Sequence, residues 1–195
     1  MLAEIIVYIL QFIGTFYMTI VLLRFLLQLA RADFYNPITQ FVVKATNPPL
    51  RVLRKVIPGW GGIDGASLLL TIAIQALVIY LLLVGNLGGL PAVNPIHLLA
   101  WAILATLKLI VTIYFWSVIA IVVASWIAPT SGHPALQLVA QLTEPVMQPV
   151  RKIMPPMGGL DLSPIAVFLL LNVINMVIGK LQVAAGMPGM GALGM

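Results

Sequence analysis

The chain has 195 residues, of which 62% are hydrophobic and only 8% charged, ten Lys+Arg against five Asp+Glu. A soluble domain carries roughly 25% charged residues because its surface faces water. This composition therefore excludes a soluble globule and also an intrinsically disordered chain, which needs the opposite balance. A mean hydropathy of +1.11 makes lipid its main solvent, and the absence of cysteine excludes disulfides, thiolate metal sites, thiol nucleophiles and covalent c-type haem.

A membrane-crossing helix needs about 20 mostly apolar residues, and four stretches qualify. The first, 5–29, is interrupted near its end by Arg24 and Gln28. It follows Glu4 rather than a basic region and is too long for a signal-peptide core, so it is expected to be retained. Arg24 is about 5 residues from the inner end, within reach of the interface through its long stem. The following segment holds Arg31, Lys44, Arg51, Arg54 and Lys55, with Ile38, Phe41, Val42 and Ala45, then Leu50, Leu53 and Ile57, at helical spacing. Such stretches are too short to span, and Pro37, Pro48, Pro49 and Pro58 are expected to break them into interfacial helices. The second span is 68–87. The third is 105–127, with an apolar tract from His97 that lengthens it outward and with Lys108 near its outer end. A segment with Arg151 and Lys152 leads to the fourth span, 164–183, the most polar of the four because of Asn172 and Asn175. The Gly/Met-rich tail, 186–195, reads as low-complexity and disordered. Basic residues lie in the two connecting segments rather than in the uncharged 91–96 stretch, which puts those segments in the cytoplasm and both termini outside. The same placement makes nucleic acid an unnecessary partner.

Shifting the chain by 97 residues lays one half on the other without gaps (114 − 17 = 97): Tyr17 meets Tyr114, Pro37 meets Pro134 and Gln40 meets Gln137. Thr46, Pro48, Arg54, Lys55, Pro58, Gly61, Gly62 and Asp64 then meet Thr143, Pro145, Arg151, Lys152, Pro155, Gly158, Gly159 and Asp161. This is a duplication, with repeats at 1–90 and 91–185. Two spans per repeat give both halves the same orientation, related by a pseudo-two-fold along the membrane normal. The fold class is an all-α membrane protein: four transmembrane helices in two parallel two-helix repeats, each with an interfacial amphipathic segment on the cytoplasmic side.

The run from Thr143 through Glu144, Pro145, Arg151, Lys152, Pro155, Pro156, Gly158, Gly159, Leu160 and Asp161 to Ser163 and Pro164 closely resembles the motif of the YggT family. The run from Thr46 to Asp64 is a weaker copy. That resemblance implies a small bacterial inner-membrane protein, with relatives in chloroplasts. It also implies links to osmotic-stress tolerance and ion uptake, and among plastid and Gram-positive relatives to cytochrome b6 haem attachment, nucleoid organisation or cell division. The first repeat departs from the motif, with Asn47 opposite Glu144 and Gly65, Ala66 and Ser67 opposite Leu162, Ser163 and Pro164.

The candidate site residues follow from the motif. Arg54 and Arg151 precede Asp64 and Asp161 by ten positions across a Gly-Gly turn, so an Arg–Asp bridge is expected in each repeat. Ser163 before Pro164 suits a helix N-cap, with Asp161 favouring the positive end of the dipole. Two readings stand: a re-entry device that turns the chain back into the membrane, or a site where the paired Asp and Arg groups bind an ion, a lipid headgroup or a partner, with Arg54, Lys55, Arg151 and Lys152 as the lipid- or partner-binding candidates. Gln75 and Asn172, repeat-equivalent, and Asn175 are the deepest polar residues, and serve either as hydrogen bonds between packed helices or as a polar path. His97 and His133 fall on opposite faces and cannot share one haem iron. No catalytic triad, metal cluster or phosphate loop appears, so neither enzyme activity nor a cofactor is expected. The partners expected are anionic lipids and another membrane protein or a second copy of the chain.

Overall fold

The computed structural model describes residues 2–57, 59, 63–87, 90–127, 131–154 and 161–187. Among these the chain forms α1 (Leu2–Leu29), α2 (Pro37–Leu53), α3 (Gly65–Leu87), α4 (Pro95–Ile127), α5 (Pro134–Ile153) and α6 (Ser163–Ala184). Helices α1, α3, α4 and α6 are long and apolar enough to cross a membrane, so this is a multi-pass membrane protein. Adding 97 carries α1, α2 and α3 onto α4, α5 and α6, as the duplication requires. The Gly-Gly pairs at 61–62 and 158–159 and most of the Gly/Met tail lie outside the described residues.

The third span differs from its expected bounds. Helix α4 begins at Pro95 and runs 33 residues, about 50 Å at 1.5 Å per residue. Lys108 is therefore near the middle of the helix, not at its outer end as expected. The apolar tract from His97 joins the span as one helix, since a single lysine in an otherwise apolar helix does not interrupt backbone hydrogen bonding.

The prolines also act differently from expectation. Helix α2 passes through Pro48 and Pro49 and α5 through Pro145 and Pro149, each as one continuous helix. A proline inside a helix strips the carbonyl four residues back of its donor. For Pro49 that carbonyl is Ala45, and the Tyr17 hydroxyl of α1 donates to it at 3.4 Å. Packing against the spans thus supplies what the sequence alone could not show. Asn36 and His133, repeat-equivalent, cap α2 and α5: the Asn36 side chain accepts from the Ile38 N–H at 2.9 Å and His133 Nδ1 from the Ala135 N–H at 3.2 Å. His133 and His97 sit at opposite ends of α4, in accord with the expected separation.

Two cores hold the spans together. On the α2/α5 side, Leu22 and Leu26 of α1 meet Tyr114 and Val118 of α4, with Leu142 and Met147 of α5 and Val167 of α6. On the other side, Val78, Ile79 and Leu82 of α3 meet Trp101 and Ala102 of α4, and the Trp101 indole N–H donates to the Ala185 carbonyl at 2.8 Å, closing the end of α6. The buried stripe of α2 is Thr39, Val42, Thr46 and Leu50. Phe41, expected on that stripe, is exposed, because a 39, 42, 46, 50 spacing leaves position 41 on the far side of the helix.

Candidate functional site

The motif residues converge where α2 meets the start of α3. Asp64, directly before α3, is 3% exposed and receives Arg54 Nε at 3.4 Å and Arg54 Nη2, together with the Ser67 hydroxyl. The expected Arg–Asp bridge is therefore present. It has a second cation: Arg24 Nε lies 3.9 Å from the same carboxylate. Arg24 Nη1 donates to the Val43 carbonyl at 3.1 Å, Thr46 Oγ1 at 2.7 Å and Asn47 Oδ1 at 2.9 Å. Thr46 passes the chain of bonds on by donating to the Val42 carbonyl at 2.7 Å.

This corrects the reading of Arg24 as an interfacial anchor. Its side chain turns into α2 and is 8% exposed. An isolated guanidinium in hydrocarbon is costly, and three neutral acceptors plus a nearby carboxylate cost less to reach than water.

The second repeat solves the same problem in the open. Arg151 Nε meets Asp161 at 3.1 Å and Arg151 Nη1 meets Glu144 at 2.9 Å, with Arg151 42% exposed on its side chain. Ile121 stands where the first repeat has Arg24. Asn47 and Glu144, the departure noted in the motif, thus have complementary partners: the amide serves Arg24, and the acid, with no cation beneath it, turns to Arg151.

Ser163 is corrected as well. It is the first residue of α6, the N-cap is Leu162 and no side-chain cap bond is made there. The Ser163 hydroxyl is spent on Asp161, whose Oδ1 also accepts the Ser163 N–H at 2.9 Å. The carboxylate, rather than the serine, supplies the acceptor at the helix start.

Burial opposes ionisation of Asp64, but hydrogen bonds from Arg54 and Ser67 and the charge of Arg54 outweigh it and hold the carboxyl below its ordinary value of 3.8. Asp161 is lowered in the same way, against a burial cost, by hydrogen bonds from Ser163 and Arg151. A carboxyl depressed on folding stabilises the protein above its unfolded pKa, about 3.9, and loses that contribution as pH falls through the folded value. Acid titration of the detergent-solubilised protein is expected to show stability falling below about pH 4. In Asp64→Asn most of that fall is expected to be missing; an unchanged profile would deny Asp64 the role.

Lys55 and Lys152 are exposed and take no part in these bridges. The expected grouping of Arg54, Lys55, Arg151 and Lys152 therefore divides, with the arginines used internally and the lysines facing out. The residues of the expected polar path line two cavities that share Thr112, one with Gln75 and one of about 120 Å³ with Asn172 and Asn175. Gln75 is 3% exposed and shares a cavity of about 160 Å³ with Thr15, Lys108, Thr112 and Gln182. Asn172 and Asn175 are exposed on α6, and Asn172 Nδ2 donates to its own helix at the Phe168 carbonyl at 2.8 Å. Equivalence under the repeat did not place Gln75 and Asn172 alike, because α3 is sandwiched between α1 and α4 while α6 lies at the edge of the row. Arg24 and Lys108, two of the three cations inside spans, were underrated by sequence reading. Their signal was charge within an apolar run.

A family profile for CCB3/YggT matches the chain twice, over residues 3–85 and 100–182. The chain belongs to the CCB3/YggT family. The two matches are offset by 97 residues (100 − 3 = 97), so the CCB3/YggT unit is one span–helix–span repeat. An uncharacterised protein of Pseudomonas aeruginosa is 50% identical over 186 residues, 93% of this chain and 92% of the relative. The Escherichia coli K12 protein YggT, itself described as uncharacterised, is 38% identical over 180 residues, 89% of this chain and 90% of its own. An uncharacterised protein of Haemophilus influenzae is 34% identical over 174 residues, 86% of this chain and 90% of the relative. No solved structure matches this CCB3/YggT chain.

Proposed function

We propose that this protein is a non-catalytic scaffold or assembly factor of the bacterial inner membrane. In this reading α2 and α5 lie on the cytoplasmic leaflet, both termini are outside, and the process served is osmotic-stress or ion homeostasis. The observation that carries it is the use made of the motif charges. Arg24, Arg54 and Arg151 are engaged in braces that fix α2 and α5 to the spans, while the outer faces of those helices expose Phe41, Lys44, Val52, Lys55, Lys152 and Ile153. A rigid apolar and basic platform suits anionic lipid and a partner membrane protein. Catalysis has no support in the braces, whose acids are already paired with arginine.

Photocrosslinkers at Val52 and Ile153 in native membranes are expected to capture one discrete partner protein. Capture of lipid and self alone would sink the scaffold reading. Orientation has its own test: a reporter fused after Met195 is expected to be active outside the cytoplasm, and cytoplasmic activity would invert the topology.

One observation favours a second reading, an oligomeric channel or transport-assisting protein. Lys108, near the middle of α4, lines a cavity with residues of all four spans, and an intramembrane charge commonly marks an ion pathway. K⁺ or Na⁺ flux in proteoliposomes after an osmotic upshift, abolished by Lys108→Met, would establish it. Absence of flux from folded protein would remove it.

A further inference from the structure

We propose that the cavity between the end of α1, the 30–36 turn and the start of α2 binds the phosphate headgroup of an anionic phospholipid. The cavity measures about 390 Å³ and is lined by Arg24, Leu27, Arg31, Phe34, Thr39 and Val42, among others. That is within the size range of ligand pockets. Its floor is buried: Arg24, Leu27, Thr39 and Val42. Its mouth, with Arg31 and Phe34, is exposed.

The floor holds an unanswered hydrogen-bonding group. Thr39 is 6% exposed, and its hydroxyl has no hydrogen-bond partner among the described residues. Buried hydroxyls are paired as a rule, and one left open in a cavity that the buried Arg24 also lines fits an acceptor that the protein does not itself supply. The charge balance has the right sign. One carboxylate, Asp64, serves both Arg24 and Arg54, which leaves an excess of positive charge beneath the floor. Arg31 adds another cation at the rim. The one acid on the turn, Asp33, uses its Oδ1 to accept the Tyr35 N–H at 2.9 Å.

Arg31 occupies a position that normally belongs to glycine. Its φ is 52°, and the Ala32 N–H to Leu27 carbonyl and Arg31 N–H to Gln28 carbonyl bonds, 2.9 and 3.1 Å, close α1 in the manner of a Schellman turn. Glycine would take this conformation without steric cost, so folding does not call for an arginine. Phosphate binding does, since guanidinium matches phosphate oxygens in charge and geometry. Leu27, Phe34 and Val42 provide the apolar surface that a lipid, unlike a free anion, brings chain to cover. The second repeat has lost these features together: Ile121, Ala128, Ser131 and Leu136 stand opposite Arg24, Arg31, Phe34 and Thr39. The inference is independent of the scaffold reading, since a channel holds lipid as readily.

The test is native mass spectrometry of the full-length protein in mild detergent, titrated separately with phosphatidylglycerol, phosphatidylcholine and inorganic phosphate. One phosphatidylglycerol is expected to be retained about tenfold more tightly than phosphatidylcholine. Arg31→Gly is expected to weaken it about tenfold and Thr39→Val about threefold. Arg31→Gly suits the turn and Thr39→Val preserves shape, so both variants are expected to melt at or above the parent temperature, and Lys180→Gln, a charge removed from the exposed surface of α6, is expected to retain lipid unchanged. Equal retention of the two lipids, or indifference to both cavity substitutions, would overturn the proposal. So would inorganic phosphate that displaces phosphatidylglycerol at millimolar concentration, since the site would then belong to the free anion.

Discussion

Asp64→Asn is expected to cost about 3–5 kcal/mol, and Asp161→Asn less than about 1 kcal/mol, although the two aspartates are equivalent in the repeat. Asp64 is 3% exposed and is the carboxylate nearest to Arg24, itself 8% exposed. Removing its charge leaves a buried guanidinium with neutral acceptors only, and an uncompensated buried charge is the expensive case. Asp161 is 39% exposed on its side chain and Arg151 keeps Glu144 as a second partner, so water and Glu144 absorb most of the loss. Arg24→Ile, which installs the residue found at position 121, is expected to restore at least about 2 kcal/mol in the Asp64→Asn background, because the orphaned charge leaves with it. Thermal unfolding of the parent and the three variants in one detergent measures all of this. Equal losses at Asp64 and Asp161, or no rescue by Arg24→Ile, would show that the buried brace is no stronger than the exposed one.

How much of this was legible in the sequence depended on whether a feature is local. The four spans, the 97-residue repeat and the bridges across ten residues follow from composition and spacing, and the structure contains them. The direction of the Arg24 side chain does not follow, because its distance from the end of α1 is a property of one helix and its acceptors are on another. The same holds for Pro49, whose break is prevented by Tyr17 of a different helix. Repeat equivalence overreached at Gln75 and Asn172, since duplication copies a residue's place in its hairpin but not its neighbours across the seam. Of the cavity at the end of α1, the sequence held a trace that local reading passed over. Arg24, Arg31 and Thr39 are polar where the second repeat is apolar, and only the fold of α2 against α1 brings the three together.

Gly14→Leu carries the second large expectation, a net loss of about 2 kcal/mol, and its sign rests on two opposed magnitudes. Leaving glycine in a helix interior gains up to about 1 kcal/mol. Against that, a Cβ at Gly14 would sit 2.7 Å from Val78 Cγ2, closer than real side chains come. Val78 is 3% exposed and stiff at χ1, so α1 and α3 must separate, and overpacking of this kind costs about 3 kcal/mol. Between membrane helices there is no hydrophobic drive to restore the contact, since lipid is as apolar as the packed surface. Gly85 repeats the close approach, with Val7 at 2.9 Å, so the first hairpin is held tight at two levels. Val111 in α4 occupies the equivalent of Gly14, so the second hairpin does not depend on a glycine there. Gly179→Leu is the control: nothing lies within 4 Å of a Cβ there, and the change is expected to be neutral or to raise stability by up to about 1 kcal/mol. Thermal unfolding in detergent separates the pair. A Gly14→Leu protein as stable as the parent would mean that α1 and α3 are not held at the spacing on which the Arg24–Asp64 contact depends.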